Sequence, residues 1–386
     1  MPAVLEANAG TPVQTLEQFK QDAIASHARL KSVYAELLLA LREPADALLI
    51  LLFGPTGVGK STVLELVLRD LNRDVRQAAD WNPGRLGPIS VRAATGGQPF
   101  DWKDFNLRAL QALGEVAIDK KVDPLGRRSQ SRGTPDDPYG ISIAASRAAL
   151  EKALQHRRPP VFFVDEGQLA WLRVGPKRSV AQAEVFKSLA LESGVLLGLA
   201  GTYDLWRFSG LNGQLLRRSW PVHFDRYHAD NKKDWADWLL VVRYFRGKLP
   251  LTFDLEQQAD ALYERSIGCV GLLKSWLTRS YALALSSDKH GLVRLKHLEH
   301  TAIKLSAARK MAADAIAGEK TWDQTAGDEA DLRKLLQLPP LNPSERANED
   351  ASQDDAHPKV SGGTHGRRAF ERKPVRDPVG EPAGVA

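Results

Sequence analysis

A glycine-rich stretch near the start of the chain has the residue types and spacing of a phosphate-binding loop. In LLFGPTGVGKSTVLEL, residues 51–66, the pattern Gly-x-x-x-x-Gly-Lys-Ser begins at Gly54. Glycines let backbone N–H groups turn around phosphates, the lysine meets the β- and γ-phosphates, and the serine hydroxyl ligates magnesium. The alternative is a chance glycine turn. The stretch predicts ATP and Mg²⁺ binding by Gly54, Pro55, Thr56, Gly57, Val58, Gly59, Lys60, Ser61 and Thr62, with Ser61 on the metal.

Two adjacent carboxylates end a second apolar run, VFFVDE. Asp165, at the end of a buried strand, is predicted to hold magnesium through its coordination shell. Glu166 is predicted to polarise a water for attack on the γ-phosphate. The alternative is a strand that ends in two solvated acids, which the apolar residues directly before the pair oppose. The adjacent carboxylate favours hydrolysis of ATP over phosphoryl transfer to a small acceptor.

Further polar residues could complete the chemistry. Thr202 ends the apolar run GVLLGLAGT, and its hydroxyl could touch the γ-phosphate or the attacking water, or belong to an ordinary turn. Arg217 and Arg218 could reach a neighbouring subunit's nucleotide and stabilise transition-state charge, or form a surface basic pair. Lys274, three residues after Gly271 at a predicted helix start, could bring a cation to the phosphates.

A sheet is needed to bring these residues together. Strands that are buried in a parallel sheet appear in a sequence as short apolar runs. We predict strands in LLILLFG, GPISVRAAT, VFFVDE, GVLLGLAGT and WPVHFDRY. Helical patterns alternate with them, the first as one helix over residues 15–41. The predicted fold class is therefore α/β: a phosphate-loop core with a parallel sheet flanked by helices, followed by a small all-helical lid and a disordered C-terminal tail.

Changes in composition along the chain predict its domains. We expect a flexible arm at 1–14, an α/β ATPase core with its N-terminal helix at 15–229, an all-helical lid at 230–320, and a largely disordered tail at 321–386. The tail is poor in large apolar residues and rich in Pro, Gly and charge, which is typical of disorder.

Composition, cysteine count and net charge limit the classes of protein to which the chain can belong. The 386 residues are 43% hydrophobic and 26% charged, which is ordinary for a globular protein. A single cysteine, Cys269, excludes an intramolecular disulfide and opposes a cysteine metal cluster. A signal-peptide pattern is absent and ALLILLFG is too short to span a bilayer, so we expect a cytoplasmic protein with no membrane partner. The net charge of +6 permits nucleic-acid binding without establishing it.

The order of these motifs resembles the AAA+ ATPases over roughly residues 15–310. Within that class, GPTGVGKST, DEGQLA, LAGTYDLW, QLLRRSWPVHF and SIGCVGLLKSWL are similar to the ATPase subunits of transposition modules, the TniB/TnsC type. The acidic motif departs from the group, because it reads D-E-G-Q where D-E-A-Q or D-E-A-H is more usual.

The resemblance implies an ATP-dependent regulator that binds duplex DNA without sequence preference. Such proteins assemble as rings or helical filaments and link a target-selection protein to the transposase until ATP hydrolysis releases them. In that setting Arg218 matches the arginine that acts across a subunit interface. Thr202 matches the first sensor and Lys274 the second, where many AAA+ proteins have arginine.

DNA contacts are predicted in TGGQPFDWKDFNLRALQ. In AAA+ assemblies this part of the fold faces the central channel, so Lys103 and Arg108 could follow a phosphate backbone, which gives affinity without sequence choice. The alternative is an amphipathic helix, with Trp102 and Phe105 in the core. The loop GRRSQSRG is a second candidate through Arg127, Arg128 and Arg132.

Two rival functions share parts of this pattern. A helicase loader or replication initiator-like ATPase would use the same core with a helicase as its partner. A phosphate-loop kinase acting on a small molecule belongs to a different class, which the Asp-Glu pair, the arginine pair and the helical lid oppose.

Overall fold

The computed structural model describes residues 16–22, 25–77, 82, 84–93, 100–116, 118, 142–170, 176–209, 217–287, 291–323 and 331–338. The predictions for the arm at 1–14, for the loop with Arg127, Arg128 and Arg132, and for the tail beyond residue 338 lie outside these residues. The chain divides into two compact units, Met1–Gln324 and Thr325–Ala386. In the second unit the described residues include a helical turn at 331–335.

The core of the first unit is a sheet of five parallel strands in the order β2-β3-β4-β1-β5. The five predicted strands are confirmed as β1 Leu49–Phe53, β2 Ile89–Arg92, β3 Phe162–Asp165, β4 Leu197–Gly201 and β5 Ser219–His223. Since each pairing is parallel, the carboxyl ends of the strands share one edge of the sheet. All residues of β1 and β4 are buried, as their apolar runs predicted.

Helices cover both faces of the sheet. Side chains of a strand alternate between faces, so Leu49, Leu51 and Phe53 join one core cluster and Ile50 and Leu52 join another. The flanking helices are α2 Ala28–Arg42, α3 Lys60–Gln77, α4 Trp102–Ala112, α5 Ile143–Arg157, α6 Pro176–Ser193 and α7 Asp204–Ser209. The predicted α/β fold class is confirmed.

The single helix predicted over 15–41 is wrong, because the structure has α1 Leu16–Asp22 and then α2. His27 begins α2 as its N-cap, and its Nδ1 accepts the Leu30 N–H at 3.3 Å. The break lets the two helices join different cores: Phe19 of α1 lies against the rings of Phe245 and Tyr281, whereas α2 packs on the sheet. An apolar helical period continued through both helices and concealed the change of partner.

A helical region follows β5, as predicted. It comprises α8 Lys232–Arg246, α9 Ala259–Ser266, α10 Val270–Ser287, α11 Leu295–His300 and α12 Leu305–Trp322. Trp238, Phe245, Trp276 and Tyr281 form its core together with Phe19. None of the described helices is long and apolar enough to cross a membrane.

The last helix of this region returns to the sheet. Ala308 and Ala315 of α12 are buried in the cluster beneath α2 and α3, and Trp322 lies against Phe53 and Trp206 on the opposite side. The boundary predicted between residues 320 and 321 therefore falls within α12. Trp322, the last residue of the helix, packs against Phe53 of β1.

Candidate nucleotide-binding site

The strand order brings the predicted chemistry to one edge of the sheet. β4 lies between β3 and β1, so Asp165, Thr202 and the phosphate loop follow three neighbouring strands at their carboxyl ends. Ligands of open α/β sheets bind outside this edge. The motifs are thus gathered by the topology, although Gly54 and Thr202 lie 148 positions apart in the sequence.

The phosphate loop has the backbone that its glycines allow. Gly57 and Gly59 have φ values of 79° and 124°, which side chains disfavour. A Cβ on Gly54 would collide with the carbonyl oxygen of Phe224, so that position requires glycine for space. Helix α3 begins at Lys60 directly after the loop and directs its positive end towards it. The loop residues predicted to bind nucleotide therefore form a turn whose backbone geometry would suit an anion.

Charges in the site are close together and partly desolvated. The Lys60 Nζ donates to the carbonyl oxygens of Gly54 and Pro55 at 3.0 and 2.8 Å. Burial lowers the pKa of Lys60 to about 8, against the opposing influence of nearby anionic groups that include Glu166 and Asp165. Burial also raises the pKa of Asp165, and the neighbouring Glu166 charge adds to that rise. Anionic phosphates would stabilise the charged lysine, and a cation would stabilise the carboxylate.

The acidic pair has a defined internal geometry. The Glu166 N–H donates to Asp165 Oδ1 at 2.9 Å, and Glu166 itself has a positive φ of 56°. The Nε2 of Gln168 donates to Glu166 Oε2 at 2.8 Å. A left-handed backbone is uncommon for a residue other than glycine and occurs often at functional sites.

The metal prediction fits the donor set. Asp165 and the hydroxyl of Ser61 are hard oxygen donors of the type that Mg²⁺ prefers, and the raised pKa of Asp165 reflects a carboxylate that lacks full solvation. These two residues would hold the ion, which would neutralise charge on the β- and γ-phosphate oxygens.

Thr202 faces a pocket beside the phosphate loop. Its Oγ1 lies 3.3 Å from Asp204 Oδ2, to which it donates. Pro55 and Thr56 line the same pocket. Helix α12 closes the far side, where Met311, Asp314 and Gly318 are among the lining residues. The structure therefore places Thr202 next to the phosphate loop.

Arg217 and Arg218 lie at the other edge of the sheet. The carbonyl oxygen of Arg218 accepts the N–H groups of Leu48 and Leu49, at the start of β1. Five strand residues at about 3.3 Å each place it roughly 16 Å from the level of the phosphate loop. The arginine pair is thus not brought to the nucleotide edge of its own subunit.

Lys274 lies on the opposite side of the phosphate loop from Thr202. It lines a mostly apolar pocket with Val58, Thr62 and His27. Its Nζ donates to the carbonyl oxygen of Lys20, which links α10 to α1. The pocket that contains Thr202 is lined by other residues.

Helix α10 touches the phosphate loop through its first turn. The Leu272 N–H donates to the Gly57 carbonyl oxygen at 3.0 Å, and a Cβ on Gly271 would collide with that oxygen. The predicted lid thus contacts the loop through backbone groups, and Gly271 is required for this close approach.

Three residues beside the candidate site were not predicted from the sequence: His27, Gln168 and Asp314. His27 lines the apolar pocket, and its Nδ1 lies 2.9 Å from the hydroxyl oxygen of Tyr227. Burial lowers the pKa of His27 to about 3. Gln168 had a signal, because it belongs to the D-E-G-Q motif. His27 and Asp314 lie in ordinary helical patterns, so no local signal marked them.

The predicted DNA contacts lie on α4, away from these motifs. Arg108 forms an ion pair with Asp104, Nε to Oδ2, at 2.8 Å, and its side chain is 49% exposed. Lys103 is partly buried on the same helix. Trp102 donates through Nε1 to Gln182 at 2.6 Å, and Phe105 is buried, so the core interpretation of both aromatics is confirmed.

The middle of the chain matches a known domain family. Residues 42–208 match the sequence model described as AAA domain. The match supports an AAA+ ATPase core. It spans the phosphate loop, the acidic pair and Thr202, and it implies nucleotide binding by the AAA domain. No curated protein matches the chain.

Several solved structures resemble the chain at low identity. A Walker-type ATPase of Pyrococcus abyssi is 15% identical, with 86% of this chain and 79% of that chain covered and a TM-score of 0.40. The Aeropyrum pernix ORC2 protein in ADPNP–ADP complexes is 10% identical, with 81% and 71% covered and a TM-score of 0.42. Drosophila ORC bound to DNA is 14% identical, with 88% and 83% covered and a TM-score of 0.43. At such values these likenesses say nothing of this chain's ligands or partners.

Proposed function

We propose that the chain is an ATP-hydrolysing AAA+ regulator of DNA transposition, of the TniB/TnsC type. It binds duplex DNA without sequence preference when ATP is bound, oligomerises on the DNA as a ring or helical filament, and links a target-selection protein to a transposase. The transposition role is supported by the combination of motifs in the sequence. The ATPase role is supported by the meeting of Lys60, Asp165, Glu166 and Thr202 at one sheet edge.

The proposed reaction is attack of water on the γ-phosphorus of ATP. Glu166 accepts a proton from the water as the new oxygen–phosphorus bond forms and the bond to the bridging oxygen of ADP breaks. Lys60 and the phosphate-loop N–H groups hold the phosphates, and Thr202 orients the γ-phosphate or the water. Magnesium held by Ser61 and Asp165 would neutralise phosphate charge.

The nucleoside has a candidate pocket on the other side of the loop. Leu30, Val58 and Val270 supply apolar surface there, and the ring of His27 lies beside them. Ligand pockets are mostly apolar with a few polar groups, which suits a flat aromatic base. Because Lys274 lines this pocket, we propose that it contacts the nucleotide from the base side.

A second subunit would complete the site. Since Arg218 is at the far edge of its own sheet, we propose that it acts on the nucleotide of a neighbouring copy, with Arg217 as the alternative. The exposed Thr56 side chain and the pocket next to Thr202 are where a guanidinium from outside could approach the γ-phosphate. Mixing Arg218→Ala with Glu166→Gln should restore part of the turnover that each lacks, and an absence of rescue at all ratios would contradict the trans role.

Hydrolysis is tested with Glu166→Gln. This variant should bind ATP as wild type does but hydrolyse it roughly 10²–10⁴-fold more slowly, because a general base contributes about that much. Its complexes with DNA should persist longer. Unchanged turnover would move the base to another residue.

DNA binding is tested across a salt series. Wild type should bind duplexes of unrelated sequence alike, and only with ATP. Lys103→Ala should lower the slope of log affinity against log salt by about 0.9 for each phosphate that the lysine neutralises, with ATP affinity unchanged. Lys152→Ala, which removes an exposed lysine from α5, is the matched control and should leave the slope as it is. Equal DNA binding with and without ATP would contradict the proposal.

The partner decides between the proposed role and its rival. A transposase should be recruited to, or stimulated by, the ATP-bound DNA complex, and Glu166→Gln should prolong that effect. Recruitment of a replicative helicase in its place would favour a helicase-loader or initiator-like role with the same nucleotide chemistry.

A further inference from the structure

Gln168 is a buried amide placed between the acidic pair and the end of β4. It lies in the short 3₁₀ turn Gly167–Ala170 that follows Glu166, and the residue is 4% exposed. Its Nε2 donates to Glu166 Oε2 at 2.8 Å. Its Oε1 is buried and has no hydrogen-bond partner among the described residues.

The oxygen of this amide lies against β4. A Cβ on Gly201 would collide with the Oε1 of Gln168, so the amide fills the space that glycine leaves at this position. Gly201 is the last residue of β4 and precedes Thr202. The amide therefore lies between the candidate base and the candidate sensor.

A purely structural role accounts poorly for this residue. A buried acceptor without a partner destabilises the folded state, and an apolar side chain of similar size would avoid that loss. The donor side, by contrast, is matched to a carboxylate, since only N–H and not C=O can face Glu166 favourably. The chemistry of the amide is thus directed at Glu166.

We propose that Gln168 is a positioning residue for the hydrolytic reaction: it holds one carboxylate oxygen of Glu166, so that the other oxygen is directed to the attacking water. The inference rests on the proposed ATPase function. The hydrogen bond from Gln168 would restrain the Glu166 carboxylate, which without it would be free to rotate away from the one reactive direction.

The first test replaces the amide with an apolar side chain of similar length. Gln168→Met should lower kcat for ATP by roughly 10- to 100-fold, within the range that misplacement of a catalytic group produces, and leave KM within about twofold. In a Glu166→Gln background the same change should have no further effect on kcat, because the group that it positions is already disabled. A change that merely loosened the fold would slow both backgrounds and alter the melting temperature.

The second test displaces the amide of Gln168 by a substitution in β4. Gly201→Ala should displace Gln168 and reproduce the loss of kcat. Gly201→Ala with Gln168→Ala should be no slower than Gln168→Ala alone, because truncation makes room for the new methyl group. This pair also decides the matter if Gln168→Met does not fold.

The outcomes separate this inference from the proposed function. If Glu166→Gln hydrolyses ATP at the wild-type rate, the assignment of the base fails. If Glu166→Gln is slow but Gln168→Met keeps kcat within about twofold of wild type, or slows both backgrounds equally, only the role of Gln168 is overturned.

Discussion

The edge of the sheet that carries the candidate nucleotide site and the contacts that hold helix α12 differ in one respect: how far apart in the sequence the bonded residues lie. At the nucleotide edge, the side-chain hydrogen bonds of Lys60 and Gln168 run within short motifs: Lys60 donates to the carbonyl oxygens of Gly54 and Pro55, and Gln168 donates to Glu166. The second region, which we call the clasp, consists of Arg29, Asp225, Arg226, His228, Asp234 and Glu319. Its ion pairs join α2, the segment after β5, α8 and α12.

The clasp secures α12 beside the nucleotide pocket. Arg226 and Glu319 form a two-pronged ion pair at 2.7 and 3.1 Å, with only 12% and 11% of their side chains exposed. This pairing raises the pKa of Arg226 although burial opposes it. The residue directly before Glu319, Gly318, lies so close to the ring of Tyr203 that a Cβ would collide with it. The nucleotide edge carries the proposed chemistry and the clasp fixes the position of α12, so variants of the two regions should fail differently.

The largest expected effect is at the nucleotide edge. Lys60→Ala removes the ammonium group that meets the phosphates, and it should weaken ATP binding by at least roughly 100-fold, since desolvated charge-assisted contacts of this kind contribute several kcal/mol. ATP-dependent DNA association should be lost with it, while the melting temperature of the free protein stays close to that of wild type. Titration calorimetry with ATP decides this, and retained affinity would contradict the phosphate-loop assignment.

The clasp should show the reverse pattern. Glu319→Ala leaves the Arg226 guanidinium buried without its partner, which should lower the free energy of unfolding by about 3–5 kcal/mol. ATP affinity, measured well below the melting temperature, should change little. The control Arg226→Met with Glu319→Leu removes both charges and should recover most of the loss. Denaturant unfolding measures both, and a double variant as unstable as Glu319→Ala would contradict the ion-pair explanation.

A smaller effect on the free energy of unfolding is expected when the pH is lowered, because of His27 at the start of α2. Burial lowers the pKa of His27 to about 3 from 6.5, so above pH 6.5 it is neutral in both the folded and unfolded states. As pH falls below 6.5, the unfolded chain takes up a proton that the folded chain does not, and stability is lost until the pH reaches the folded-state pKa. Between pH 6.5 and 5 this should amount to about 2 kcal/mol.

His27→Gln provides the control for the acid effect. Its unfolding should be less sensitive to pH over this interval, because glutamine does not titrate. Equal loss of stability in wild type and in the variant would show that another group is responsible.

Residues that act within local patterns were predictable from the sequence, and residues joined by tertiary packing were not. The five strands, the phosphate loop, Asp165, Glu166 and Thr202 were predictable because apolar runs and polar strand ends are local patterns, and parallel pairing gathers the strand ends. The break before α2 and the clasp were not. Lys20 meets Lys274 across 254 positions, and Arg226 meets Glu319 across 93, so their partners are chosen by tertiary packing that no local pattern encodes.

The smallest expected effect concerns Gly167, the residue at which the D-E-G-Q motif departs from D-E-A-Q. A Cβ at this position would lie 3.4 Å from the Cβ of Leu199, which is ordinary contact, and the backbone does not require a positive φ. Gly167→Ala should therefore change stability by no more than about 0.5 kcal/mol, in either direction, since a reduced entropy of the unfolded chain offsets the added contact. Turnover should also be unchanged, because the methyl group points at β4 and not at Glu166. Gly198→Ala in β4 is the matched contrast: its Cβ would overlap the ring of Phe163, so this change should be clearly destabilising in the same denaturant series. A large loss of turnover in Gly167→Ala would show that the turn after the acidic pair must move during hydrolysis, and the local chemistry of the nucleotide edge would then depend on flexibility as well as position.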